Sequence, residues 1–190
     1  MALTDGFRIW FIVLYTFGLT FFIVTAVTFR SRREAVEKQE GPLPSPGVII
    51  PLGLPLLILL TRFGEIPAEW LPLRWIGVIL SLYFVVMLPW ATATLGRLYS
   101  PGFAVFEDHT LITSGPFGFV RHPIGSSVLA LWLGAGLGTL NWLLLALWPL
   151  FAALTAVLMV RIEEGLLREK FGAEYEKYAQ GTSKLIPGVW

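Results

Sequence analysis

The sequence has no cysteine, which excludes disulfides, thiolate metal sites and a cysteine nucleophile. Histidine is almost as scarce. His109 and His122 are the only two, and no Asp/Glu-x-x-His pattern repeats, so no metal centre is expected. Charged residues make up only 14% of the 190 positions and sum to +1. With no basic stripe on a soluble face, nucleic acid is not an expected partner. What fills the chain is apolar: 55% of residues are hydrophobic and the mean hydropathy is +0.71. That is far above a soluble domain of this length and points to an integral membrane protein.

The hydropathy pattern predicts an all-α fold of about five transmembrane helices in a single membrane domain, residues 1–190. The spans are expected near 7–29, 48–61, 75–95, 124–137 and 142–160. The first follows only Arg8 and lacks a small-residue cleavage site, so it reads as a retained span. Arg30 to Pro46 is charged, ends in prolines and reads as an exposed loop. Pro51 and Pro55 kink the second span, and Pro89 the third. Gly134, Gly136 and Gly138 lie before a tight turn at 138–141, where small residues let helices of a hairpin approach closely. Trp70, Trp75, Trp90, Trp132, Trp142 and Trp148 read as interfacial or lipid-facing. Beyond the last span, Leu166, Leu167, Phe171, Tyr175 and Tyr178 recur at helical spacing between charges. This predicts one amphipathic helix over 161–177.

Charge then sets the topology. With five spans, one side collects Arg30, Arg32, Arg33, Lys38, Arg97, Arg121, Arg161, Arg168, Lys170, Lys177 and Lys184. The other holds Arg8, Arg62 and Arg74, so the count is 11 against 3. The positive-inside rule places the N-terminus outside and puts the 96–123 loop and the C-terminal helix in the cytoplasm.

On that cytoplasmic side, Arg121-His122-Pro123 and Glu163-Glu164 stand at opposite ends of one helical hairpin. A hairpin brings its ends together. A carboxylate pair, a histidine and an arginine are therefore expected to converge on one pocket at the membrane surface. Carboxylates can hold ribose hydroxyls or an ammonium group, and the backbone near Gly115 and Gly118 can approach a ligand closely.

These residues also carry a resemblance. Leu95-Gly96-Arg97, His109-Thr-Leu-Ile-Thr-Ser-Gly-Pro-Phe117, Arg121-His-Pro123, and the run from Glu163 through Phe171-Gly172 to Tyr178 resemble the isoprenylcysteine carboxyl methyltransferase family and the related phospholipid N-methyltransferases. The likeness covers roughly residues 95 to 187. It implies methyl transfer from S-adenosylmethionine to an amphiphilic or lipid substrate entering from the bilayer. Matching positions imply a cofactor site of His109, Thr110, Leu111, Ile112, Phe117, His122, Pro123, Ile124, Gly125 and Glu163, to which Glu164 of the same acidic pair is added; Arg121 and Arg161, the arginine nearest to Met159, are the candidate catalytic residues. The sequence departs from the family pattern in three places: Gly125 stands where a tyrosine is usual, Met159 where a substrate-binding arginine is, and Lys184 where a late arginine is. Two other functions fit the same layout. One is a membrane reductase using a nicotinamide cofactor, and the other is a non-catalytic lipid-binding protein.

Overall fold

The computed structural model describes residues 2–36, 46–99, 110–158, 163–186 and 188. Among these residues the fold is all-helical. The α-helices are α1 (Ala2–Val36), α2 (Pro46–Thr61), α3 (Leu71–Leu95), α4 (Pro123–Thr139), α5 (Trp142–Leu158), α6 (Glu164–Phe171) and α7 (Ala173–Gly181), with short 3-10 turns at Gly96–Leu98 and Gly115–Gly118.

Among the described residues, two helices are long and apolar enough to cross a membrane, Leu3–Thr25 within α1 and Leu71–Leu98 at α3. The other three expected spans correspond to α2, α4 and α5, apolar helices of 16, 17 and 17 residues. Lengths near 17 residues are at the short end of what spans a bilayer. Large apolar side chains such as Ile9, Val13, Phe17, Ile79, Leu82, Val86, Leu150 and Leu154 face outward, which suits a lipid surround better than water.

The structure corrects several expectations. α1 continues to Val36, so Arg30 to Val36 is helix and not the start of a loop. Arg, Glu and Ala are good helix formers, and a helix has no reason to end where its surroundings turn polar. The amphipathic segment is two helices, because Gly172 takes φ +50 between α6 and α7 and donates its N–H to Arg168 O at 2.9 Å. Trp132 is buried, not lipid-facing. Its ring stacks on Phe151 at 4.4 Å and its Nε1 donates to Leu144 O at 3.0 Å. Trp148 is half-buried, donating to Leu129 O at 3.0 Å. Both indoles find partners within the α4–α5 hairpin, since an N–H has none in lipid.

α4 is the centre of the bundle, packed along α3 and α5 and touching α1 and α2. Glycine makes this possible. A Cβ on Gly77 of α3 would lie 2.5 Å from Gly138 N, one on Gly134 would lie 2.7 Å from Gly77 O, and one on Gly136 would lie 2.7 Å from the Leu145 side chain. A Cβ on Gly138 would also run into the Phe11 ring of α1, so the glycine run serves three neighbours, α1, α3 and α5, and not only the hairpin partner. At the tip, Leu140 adopts φ +52, Asn141 Oδ1 accepts from Leu144 N at 3.1 Å to cap α5, and Asn141 Nδ2 donates to Phe63 O at 2.8 Å. The hairpin is thus fixed at one end to the 62–70 turn, and its other end presents Arg121 and His122.

Candidate functional site

Residues 120–122 link the 3-10 turn to α4, and they pair with the segment following α7. Val120 bridges to Ser183, Arg121 N donates to Ser183 O at 2.8 Å, and His122 N donates to Lys184 O at 3.1 Å. This pairing carries the C-terminal helices back over the start of α4. Tyr178 fastens the same arrangement from the other side, its hydroxyl donating to Phe117 O at 2.7 Å.

Within this frame Glu164 is fully buried and receives three cationic side chains. Arg121 Nε donates to Oε1 at 3.0 Å, His122 Nε2 lies 3.2 Å from the same oxygen, and Arg168 Nη2 donates to Oε2 at 3.1 Å. Arg121 Nη1 also donates to Ala179 O at 2.8 Å and to Thr182 O. Arg168 continues outward to Glu176 Oε1 at 2.8 Å. A buried carboxylate is tolerated only when it is paired and hydrogen-bonded this completely.

Glu163 differs. One oxygen, Oε2, lies 3.1 Å from His122 Nδ1, while the side chain stays 38% exposed. Adjacent glutamates thus divide into one sealed anchor and one partly exposed carboxylate. Burial alone would lower the pKa of His122, but hydrogen bonds and charge from Glu163 and Glu164 outweigh it and raise it to about 9. Near neutral pH the ring is therefore an imidazolium that donates from both nitrogens. Burial would raise Glu164, but His122 and Arg121 hold it down at about 2. Burial also drives the Tyr175 and Tyr178 hydroxyls well above their ordinary range, with the Glu164 and Glu163 charges adding to it.

The structure brings Phe117, Arg121, His122, Pro123, Glu163 and Glu164 together. Ile124 and Gly125 begin α4 half-buried beside them; Leu111 and Ile112 are half-buried and Thr110 exposed on the segment leading in. His109, Met159 and Arg161 lie outside the described residues. Three contributors were not singled out as site residues from the sequence: Arg168, Tyr178 and the Ser183–Lys184 pairing. Arg168 had a signal, since it stands four residues after Glu164 on one helix face. The pairing of 120–122 with 183–184 had none. Among the described residues, no group of three or more histidine, aspartate or glutamate side chains could hold a metal ion.

A family model described as phospholipid methyltransferase matches residues 73–174, more than half of the chain. The chain belongs to the phospholipid methyltransferase family. The matched stretch contains Arg121, His122, Glu163, Glu164 and Arg168, so the anchor lies inside the family region. Tyr178, Ala179 and Thr182, which close over it, lie beyond. The chain is 29% identical over 176 residues to a probable protein-S-isoprenylcysteine O-methyltransferase of Oryza sativa subsp. indica, covering 87% of this chain and 88% of that one. It is also 33% identical over 117 residues to the cobalt-zinc-cadmium resistance protein CzcN of Cupriavidus metallidurans, covering 60% of this chain and 54% of that protein. The resemblance to isoprenylcysteine methyltransferases read from the motifs is thus matched across most of the chain.

Proposed function

We propose that this protein is a multi-pass membrane methyltransferase. It transfers a methyl group from S-adenosylmethionine to a lipid-like or prenylated acceptor that enters from the bilayer. In this reading α1 to α5 are the five spans, the N-terminus is outside, and the site lies at the cytoplasmic surface. The observation that carries it is the split glutamate pair: Glu164 is consumed in the anchor, while Glu163 is held by His122 with its side chain still 38% exposed.

The donor set fits the cofactor. A partly exposed carboxylate suits ribose hydroxyls or the amino-acid ammonium group, and the Tyr175 hydroxyl is buried without a partner among the described residues. The chemistry that S-adenosylmethionine supplies when bound is a sulfonium methyl open to in-line attack. The protein's part is placement. Arg121 positions the C-terminal helices through Glu164, Ala179 and Thr182, and with its guanidinium spent on them it acts as a positioning residue. His122 orients Glu163. Alignment and exclusion of water provide most of the rate in such a displacement.

The test is titration of detergent-purified protein with S-adenosylhomocysteine by calorimetry, beside a Glu163→Ala variant and an NADPH control. Saturable binding that is lost in the variant supports the reading. Folded protein that ignores S-adenosylhomocysteine and binds NADPH would replace it with the reductase.

A further inference from the structure

α3 supplies none of the residues placed in the site so far, yet one of its faces backs the stretch that carries Arg121 and His122. Tyr83, Trp90 and Thr94 recur along α3 at i, i+7 and i+11 and so share that face. At one end of the stretch, a Cβ on Gly115, whose φ is +60, would stand 3.1 Å from Thr94 Oγ1 and 3.4 Å from Trp90 Nε1. The Trp90 ring lies 6.1 Å from that of Phe119. At the other end, the half-buried Tyr83 places its hydroxyl 3.0 Å from Ser126 Oγ, in the first turn of α4.

The direction of that bond follows from the protons available. Ser126 has one hydroxyl hydrogen and gives it to Pro123 O at 3.0 Å. Tyr83 is therefore the donor and Ser126 Oγ the acceptor. The Ser126 N–H donates in turn to His122 O at 2.9 Å. The His122 ring then reaches Glu163 Oε2 at 3.1 Å and Glu164 Oε1 at 3.2 Å. A continuous run of contacts thus leads from α3 to Glu163, the partly exposed carboxylate.

The first turn of α4 has reason to need this support. Pro123 stands at its start without an N–H, and His122, the N-cap, makes no side-chain cap because its ring is turned to the glutamates. The pairing of His122 N with Lys184 O fixes the helix end from the C-terminal side, and Ser126 with Tyr83 fixes it from the α3 side. A phenol hydroxyl among apolar neighbours such as Leu82 and Val86 keeps the partner it has.

We propose that Tyr83 is a positioning residue for the methyl-transfer site: by donating to Ser126 it sets the first turn of α4 so that His122 holds Glu163 in the geometry that binds ligand. The proposal rests on the methyltransferase reading only for the ligand used in one of its two tests.

Both tests use the full chain in detergent. The first is calorimetric titration with S-adenosylhomocysteine. Tyr83→Phe keeps the ring and removes one neutral hydrogen bond, so affinity should fall about fivefold. Ser126→Ala should weaken binding at least as much, and the double variant no more than Ser126→Ala alone, because the bond is already gone. Thr92→Val removes a hydroxyl that bonds only to Leu88 O and Pro89 O within α3, and should leave affinity unchanged. The second test follows the His122 ring by NMR in histidine-labelled protein, assigned against His109 with His122→Gln. The charged groups facing that ring are Glu163 and Glu164, with Arg121 and Arg168 on the Glu164 oxygens; Tyr83, Trp90 and Thr94 add no charge. The native ring should titrate at about 9, and lower in Tyr83→Phe but not in Thr92→Val. A role confined to packing would lower the melting temperature of Tyr83→Phe while moving neither affinity nor the His122 titration, and that result overturns the proposal. Additive losses in the double variant would do the same. If the native chain ignored S-adenosylhomocysteine, the methyltransferase reading would fall, and the His122 titration would still decide the role of Tyr83: a lowered midpoint supports it and an unmoved one overturns it.

Discussion

Arg121 and Glu164 form a 3.0 Å ion pair with side chains only 6% and 0% exposed, joining the start of α4 to the start of α6 across 43 residues of sequence. Because the pair is sealed, its value lies in what happens when it is broken. Losing one member leaves the other charged and buried, which costs about 3–5 kcal/mol. Glu164→Gln is therefore expected to lower the melting temperature of the detergent-solubilised protein by several degrees. Glu163→Gln, at a 38% exposed side chain, should leave it nearly unchanged. Equal effects of the two substitutions would show that the buried and open roles of the glutamates are misassigned.

The same cluster sets a pH profile. His122 rises from its ordinary 6.5 to about 9 in the folded protein, so its contribution to stability is complete below pH 6.5 and is lost as pH climbs to about 9. A shift of that size corresponds to about 3 kcal/mol. Glu164, lowered from 4.5 to about 2, contributes above pH 4.5 and loses its contribution as pH falls toward 2. Melting temperature should thus decline on both sides of a plateau between about pH 4.5 and 6.5. His122→Gln should flatten the alkaline limb. An alkaline limb of the same slope in that variant would mean that another group causes it.

Helix positions were legible because apolar runs of membrane length leave little choice, and the hairpin logic that joined Arg121-His122 to Glu163-Glu164 needed only the short turn at 138–141. What the pattern did not reveal was which glutamate is buried, since adjacent helical positions look alike until the packing partner is known. Helix ends were equally opaque. Charged residues read as a loop at Arg30, where helix formers extend α1, and Gly172 looked permissible inside one helix although its φ of +50 ends α6.

Tyr178 tests whether the C-terminal helices shape the front of the site. Its hydroxyl donates to Phe117 O in the Gly115–Gly118 turn, 61 residues earlier. Tyr178→Phe keeps the ring against Tyr175 and removes only that bond, which is worth about 1 kcal/mol. If the turn borders the cofactor, as the family resemblance implies for Phe117, affinity for S-adenosylhomocysteine should fall severalfold in calorimetry while the melting temperature drops by only a few degrees. Full affinity in the variant would remove the turn from the site.

The crossing of α3 and α4 makes the last prediction, because two glycines in different settings separate packing from helix propensity. A Cβ on Gly77 would meet the α4 backbone at Gly134 and Gly138, and backbone cannot rotate aside as a side chain can. Gly77→Ala should force the helices apart and destabilise by about 3 kcal/mol. At about 2–4 °C per kcal/mol for a chain of this length, melting would fall by roughly 6–12 °C. Gly6, in α1, has nothing within 4 Å of where its Cβ would be. Gly6→Ala should therefore stabilise by up to about 1 kcal/mol through helix propensity alone. Since α4 carries His122 at its other end, separation at Gly77 should also weaken S-adenosylhomocysteine binding, an effect that Gly6→Ala lacks. A Gly77→Ala variant that melts and binds like the native chain would show that the helices do not cross this closely in the membrane.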